Sequence, residues 1–222
     1  MPELPDVEGF RRIAVRPPGV QHRRKDPSVI FHFGMTGELI WAGDTGGADE
    51  PSHRHDRIVV TTEHGELRYR DMRKQGVRLA EDDSAVNKIV GETGPDATDI
   101  TAADLSIRLR ETNRQVKSAL MDQTVVAGLG NLLVDEILWR TRIHPRTPAR
   151  DLSDADVRRF HRRMRTVLRN STAAGRVPTT SGWLTGRRDE DGGRCPRCGT
   201  KLSHTRMNSR RTVWCPKCQP QP

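Results

Sequence analysis

The order of apolar and polar residues gives the chain two textures that meet near Gly94-Pro95. Upstream, short apolar runs follow the period of two that marks half-buried strands. Val29, Phe31 and Phe33 alternate with Ile30 and His32, and Gly34 and Gly37 bracket a turn, so residues 28–41 are expected as strand, turn and strand. Residues 57–62 and 67–70 predict a hairpin closed around Glu63-His64-Gly65-Glu66, and residues 77–80 a further short strand. Residues 4–13 are the exception. Val7, Phe10 and Ile13 recur at helical spacing, Pro5 suits a first turn, and Arg16-Pro17-Pro18-Gly19 ends the segment.

Downstream the period becomes helical. Thr101 and Asp104 form a capping-box pattern ahead of Leu105 and Leu109. A second helix is expected near 115–122, and a third, with Leu133, Ile137 and Leu138, after the turn Ala127-Gly128-Leu129-Gly130-Asn131. Ser153 and Asp156 cap a fourth, whose Val157, Phe160, Met164 and Leu168 share one face. Residues 171–194 are polar and rich in Gly and Arg, which predicts a linker or mobile loop. The fold class expected is therefore α+β. It comprises a β-sandwich-like domain over 1–90, a helical domain over 95–180 and a small cysteine module over 190–220.

Charge narrows the partner. The 222 residues carry 38 Lys and Arg against 29 Asp and Glu, a formal charge of +9, which favours a polyanion. Aromatic residues make up only 4%, so the cores must be modest and aliphatic. No apolar run approaches the length of a membrane span, and Met1 to Asp6 lack an apolar signal core. A cytoplasmic, nucleoid-associated monomer is expected, with no membrane partner.

Three segments carry chemistry. Cys195-x2-Cys198 and Cys215-x2-Cys218 supply four thiolates in two knuckles, the donor set of a closed tetrahedral Zn²⁺ site. With no position left for water, that single zinc is structural. From Arg194 to Cys218 every charged residue other than histidine is Lys or Arg, and Asn208-Ser209-Arg210-Arg211-Thr212 falls where a ribbon hairpin would turn. A basic turn held by zinc suits phosphate contact. The glycine turn at 127–131 lets backbone approach a ligand, with Asn131 at the N-cap of the next helix, a place that simple capping also explains. Finally, removal of Met1 would leave Pro2 as a secondary amine. A terminal amine has a pKa near 8, so part of it is a neutral nucleophile at pH 7, with Glu3 alongside as an acid or base.

Together these segments resemble the formamidopyrimidine-DNA glycosylase and endonuclease VIII family. Pro2-Glu3-Leu4-Pro5-Asp6-Val7-Glu8 is similar to that family's start, and His32-Phe33-Gly34-Met35-Thr36-Gly37 to its hairpin. Leu120-Met121-Asp122-Gln123 through Gly130-Asn131 is similar to its helix-two-turn-helix core; Ile143-His144-Pro145 and the cysteine module also fit.

The resemblance implies a bifunctional DNA glycosylase and abasic-site (AP) lyase of base excision repair, acting on oxidised bases in double-stranded damaged DNA. It implies Pro2 as Schiff-base nucleophile, Glu3 as proton carrier, and Asp6 where the family has a second Glu. Met35 would fill the gap left by an extruded base. Asn131 and Arg210 would grip phosphates, and Glu136 matches a Glu of the helix after the turn.

The chain also departs from the family. Several sandwich strands that precede the hairpin are missing, since only residues 14–31 separate it from the first helix. Lys25, in Arg23-Arg24-Lys25, is a displaced candidate for a family lysine that touches phosphate. Lys74 and Gln75 stand where the family's wedge has Arg and Phe. These departures keep an alternative open: a catalytically weakened or inactive lesion-binding or DNA-binding protein derived from the enzyme.

Overall fold

In a computed structural model, residues 5–8, 28–31, 33, 37–43, 51–72, 77–90 and 93–222 are described. The chain divides into two compact units, one chiefly Asp6–Glu92 and the other chiefly Thr93–Pro222. None of the described helices is long and apolar enough to cross a membrane.

The first unit is built on two small sheets. Strands β1 (Ser28–Phe31) and β5 (Val77–Ala80) form an antiparallel pair. Strands β2 (Glu38–Gly43), β3 (Asp56–Thr62) and β4 (Gly65–Arg70) form a second sheet in the order β2-β4-β3. The β3–β4 hairpin follows the alternation, with Thr62 opposite Gly65 across the turn at Glu63-His64. Gly65 sits at φ +139°, a conformation L side chains rarely adopt.

The strand–turn–strand segment departs from a hairpin: β1 and β2 do not pair with each other but enter different sheets. Between them the Gly37 amide donates to the Phe33 carbonyl at 2.7 Å. The Phe31 ring lies 5.1 Å from that of Tyr69 on β4, which links the two sheets through aromatic contact. Tyr69 is almost fully buried, and burial beside Asp71 raises its hydroxyl pKa to about 12. Helix α1 (Asp83–Val90) closes the unit. Periodicity over so short a span did not reveal it, although Asp82 accepts from the Ala85 amide at 2.7 Å in the manner of an N-cap.

The second unit holds the larger core. Helices α2 (Ala102–Arg110), α3 (Val116–Leu120), α4 (Asn131–Thr141) and α5 (Asp154–Ala174) form its helical part. Thr101 caps α2 through the Asp104 amide, and Ser153 with Asp156 makes a full capping box on α5. Val157, Phe160, Met164 and Leu168 pack, as their spacing predicts, with Leu133, Ile137 and Leu138 of α4. Strands β6 (Ser203–Met207) and β7 (Arg210–Trp214) form an antiparallel ribbon.

The expected linker over 171–194 is corrected. Helix α5 continues to Ala174 and ends on left-handed Gly175. Beyond it Val177, Leu184 and Arg188 are buried, with a short 3₁₀ turn at Leu184–Gly186. A polar composition concealed this because the few apolar anchors, Val177 and Leu184, are supplemented by buried carboxylates from α4.

Candidate nucleic-acid interface

The candidate site of the second unit starts at the double turn between α3 and α4. Asp122 Oδ1 accepts from the Thr124 amide and hydroxyl, and its other oxygen pairs with Arg114. These contacts hold its carboxyl below the usual range. Gln123 spans the second turn: its Nε2 donates to the Leu129 carbonyl at 3.0 Å and its Oε1 accepts from the Gly128 amide at 2.9 Å. Gln123 thus has a shaping role for which sequence spacing gave no signal. Helix α4 opens with Gly130 as N-cap, in extended conformation and with no side-chain cap. Asn131 is therefore the first helical residue and not the N-cap. Its Oδ1 is enclosed without a hydrogen-bond partner among the described residues.

Next along α4, Asp135 lies one turn beyond Asn131, on the same side of the helix. It is a buried hub. Lys117 Nζ of α3 donates to its Oδ1 at 2.6 Å, and Arg188 Nη1 and the Val213 amide donate to its Oδ2, each at 3.1 Å. Lys117 Nζ and Arg188 Nη2 also reach the Arg211 carbonyl. Burial pushes the Asp135 carboxyl up and both cations pull it back. With three donors at hydrogen-bond distance, the ionised form is the one this site is built to hold. One carboxylate thereby fastens α3, α4, the segment after α5 and β7. Sequence reading missed Lys117, Asp135 and Arg188, since a buried ion cluster assembled across this many residues leaves no local pattern.

Glu136, a candidate from the sequence, has no exposed surface. Its carboxylate accepts from Arg140 Nε at 2.7 Å and from the Thr185 amide at 3.2 Å. Burial raises its pKa, against the pull of Arg140 and the backbone amides. In this position it orients the 184–186 turn from inside the unit.

The cysteine module completes the site. The four Sγ atoms of Cys195, Cys198, Cys215 and Cys218 lie within 4.8 Å of one another. Measured pairs are 3.9 Å for Cys195–Cys218 and 3.5 Å for Cys198–Cys215. Tetrahedral Zn–S bonds of about 2.3 Å place sulfurs just under 4 Å apart, so the cluster fits one structural zinc. Trp139 Nε1 of α4 donates to Cys195 Sγ at 3.3 Å, which orients that thiolate from outside the cluster. Gln219 bridges the module to the helices, accepting from the Cys215 amide and donating to the Ile143 carbonyl. The ribbon turns at Asn208 and Ser209, both at positive φ, so Arg210 is the first residue of β7. Arg210 is partly exposed beside this turn. Asn131 and Arg210 therefore stand on elements that Asp135 fastens together.

Asp6 is half-buried in the helical residues 5–8. Pro2, Glu3, Lys25, Met35, Lys74 and Gln75 lie outside the described residues.

Three family models match in sequence order. They are the formamidopyrimidine-DNA glycosylase N-terminal domain over residues 19–77, the formamidopyrimidine-DNA glycosylase H2TH domain over 92–181, and a zinc finger found in FPG and IleRS over 192–221. The formamidopyrimidine-DNA glycosylase of Bacillus subtilis is 32% identical over 276 aligned positions, covering 99% of each chain. That length against 222 residues means the relative carries sequence this chain lacks. The Geobacillus kaustophilus formamidopyrimidine-DNA glycosylase is 33% identical over 98% of this chain and 86% of its own. A solved Lactococcus lactis formamidopyrimidine-DNA glycosylase, non-covalently bound to DNA containing an AP site, superposes with a TM-score of 0.81. It is 26% identical and covers 99% of this chain and 100% of its own. By full-length likeness, ordered domains and a four-cysteine zinc finger, the chain belongs to the formamidopyrimidine-DNA glycosylase family.

Proposed function

We propose that this protein is a DNA glycosylase of base excision repair that removes oxidised bases and nicks the strand at the resulting abasic site. The observation that carries the reading is the likeness over 99% of both chains to a formamidopyrimidine-DNA glycosylase. The assembly of α3, α4 and the ribbon around Asp135 supports it, because it presents Asn131 and Arg210 from one rigid body. Residues 1–90 carry the chemistry, residues 95–180 and 190–220 the grip.

After removal of Met1, the neutral Pro2 amine attacks the sugar C1′ and the damaged base leaves with a proton. The nitrogen, having lost its proton, then pushes its lone pair into an iminium as the C1′–O4′ bond breaks, and O4′ takes a proton from Glu3 while the sugar ring opens. Loss of a C2′ proton expels the 3′ phosphate, and hydrolysis returns the amine. Glu3 moves the protons, with Asp6 and Lys25 as supporting groups. Met35 occupies the space of the extruded base, and Lys74 and Gln75 form the wedge at the orphaned base opposite. Asn131 and Arg210 hold phosphates, which positions the duplex without reading its sequence. Glu136 acts through the 184–186 turn as a positioning residue.

Excision and nicking rates on matched duplexes test this. Because sandwich strands are missing, nicking of abasic DNA is expected to run faster than excision of 8-oxoguanine, and Glu3→Gln to cripple excision. Binding with neither activity, in protein lacking Met1, would make the chain the non-catalytic binder of the alternative reading.

A further inference from the structure

A second basic surface lies at the opposite end of α4 from Asn131. The C-terminal end of α4, one face of α5 and the first cysteine knuckle enclose an open groove of about 860 Å³. Six arginines line it, Arg140, Arg142, Arg159, Arg162, Arg163 and Arg197, with Thr141 and Thr166 and no carboxylate residue. On α5 the positions 159, 162, 163 and 166 form one helical stripe. Like charges at this spacing oppose each other.

The groove is built, not incidental. Arg197 donates to the Trp139 carbonyl and its guanidinium lies 4.6 Å from the Trp139 ring centre. Arg159 Nε donates to the Thr141 carbonyl at 3.2 Å, and Arg140 stacks 4.4 Å from the centre of Trp183. These three form a fixed wall. Arg142, Arg162 and Arg163 are exposed and make no ion pair among the described residues. Arg142 is also held in the left-handed region, φ 59° and ψ 30°, at the C-terminus of α4. Glycine is the usual residue there, because a side chain in that conformation is strained. A strained arginine beside two unneutralised ones points to an anionic ligand.

We infer that this groove binds the phosphate backbone of a second DNA segment. DNA as the partner rests on the proposed function. Planar guanidiniums match phosphate oxygens in pairs, and an open groove suits an extended backbone better than a small anion. Helix α4 is buried from Leu133 to Trp139. Its ends lie about 16 Å apart along the axis with that buried stretch between them, so the groove is a separate surface from the one at Asn131.

The test counts short lesion-free duplexes per chain by native mass spectrometry with duplex in excess. The wild type is expected to take up two and the triple variant R142A/R162A/R163A one. The salt slope of the second event should fall by about 0.9 for each arginine removed. Arg142→Gly adds a readout that a structural role would not give: its melting temperature should rise while the second event weakens. A wild-type chain that stops at one duplex, or a triple variant that keeps two, overturns the second site alone. A wild-type chain that takes up none overturns the proposed function with it.

Discussion

The two units reach stability by different means. In the second, α3, α4, the segment after α5 and the ribbon are joined by one buried carboxylate, a tryptophan–thiolate contact and the Gln219 bridge. A continuous core extends from Ala97 to Val177. In the first, the buried apolar side chains among the described residues are Leu39, Trp41, Tyr69 and Ala80. Among the described residues, the half proposed to grip phosphate is thus over-determined, while the two small sheets of the half proposed to carry the chemistry meet through an aromatic contact. An enzyme of this kind can keep affinity for DNA while losing catalytic efficiency, because the two properties draw on separate packing.

The largest expected break of this comparison is metal removal. Structural zinc supplies folding free energy on the order of 10 kcal/mol in small modules. Chelation or Cys215→Ala should unfold the ribbon and abolish tight DNA binding, and elemental analysis should find one zinc per chain. Asp135→Ala comes next. It removes the buried anion that Lys117 and Arg188 share, a change that costs about 3–5 kcal/mol. Calorimetry should show the second unit melting earlier, with the phosphate grip weakened although no DNA contact was removed. An unchanged melting profile would separate the hub from the interface.

Tyr69→Ala should act on the other side. Loss of a buried aromatic costs about 3 kcal/mol or more, here concentrated between the two sheets. Trp41 is the only tryptophan of the first unit, so its fluorescence reports that loss, while the three tryptophans of the second unit should melt as before. A single shared transition would contradict the division.

The smallest effect sharpens the comparison at one cap. Ser153→Ala should cost about 1 kcal/mol at neutral pH. Hydrogen bonds from Ser153 and the ion pair to Arg159 lower the pKa of Asp156 from 3.8. A lowered carboxyl stabilises the fold above its unfolded pKa and loses that contribution as pH falls through the folded value. The difference between wild type and variant should therefore narrow in acid, which urea titrations at two pH values will read.

Much of this was legible in the residues and some was not. The Ser153–Asp156 capping box, the Thr101 cap, the α5 stripe and the Cys-x2-Cys knuckles are local patterns, and each was found in place. The partnering of β1 with β5 was not legible, because alternation marks a strand but not its neighbour. The packed segment 177–194 read as a linker, since beyond Val177 and Leu184 its hold comes from Glu136 and Asp135 about fifty residues earlier. Asn131 read as an N-cap although Gly130 takes that place, a one-residue error of the kind boundaries invite. Pro2 and Glu3 are legible only as a motif.

The central claim, that Pro2 is the nucleophile, is tested most directly by borohydride reduction of the protein on duplex DNA carrying an abasic site, with the adduct mapped by peptide mass. The account predicts one covalent adduct per chain, on Pro2 of molecules lacking Met1. An adduct on a lysine instead, or none in protein shown to lack Met1 and to bind the duplex, would contradict it.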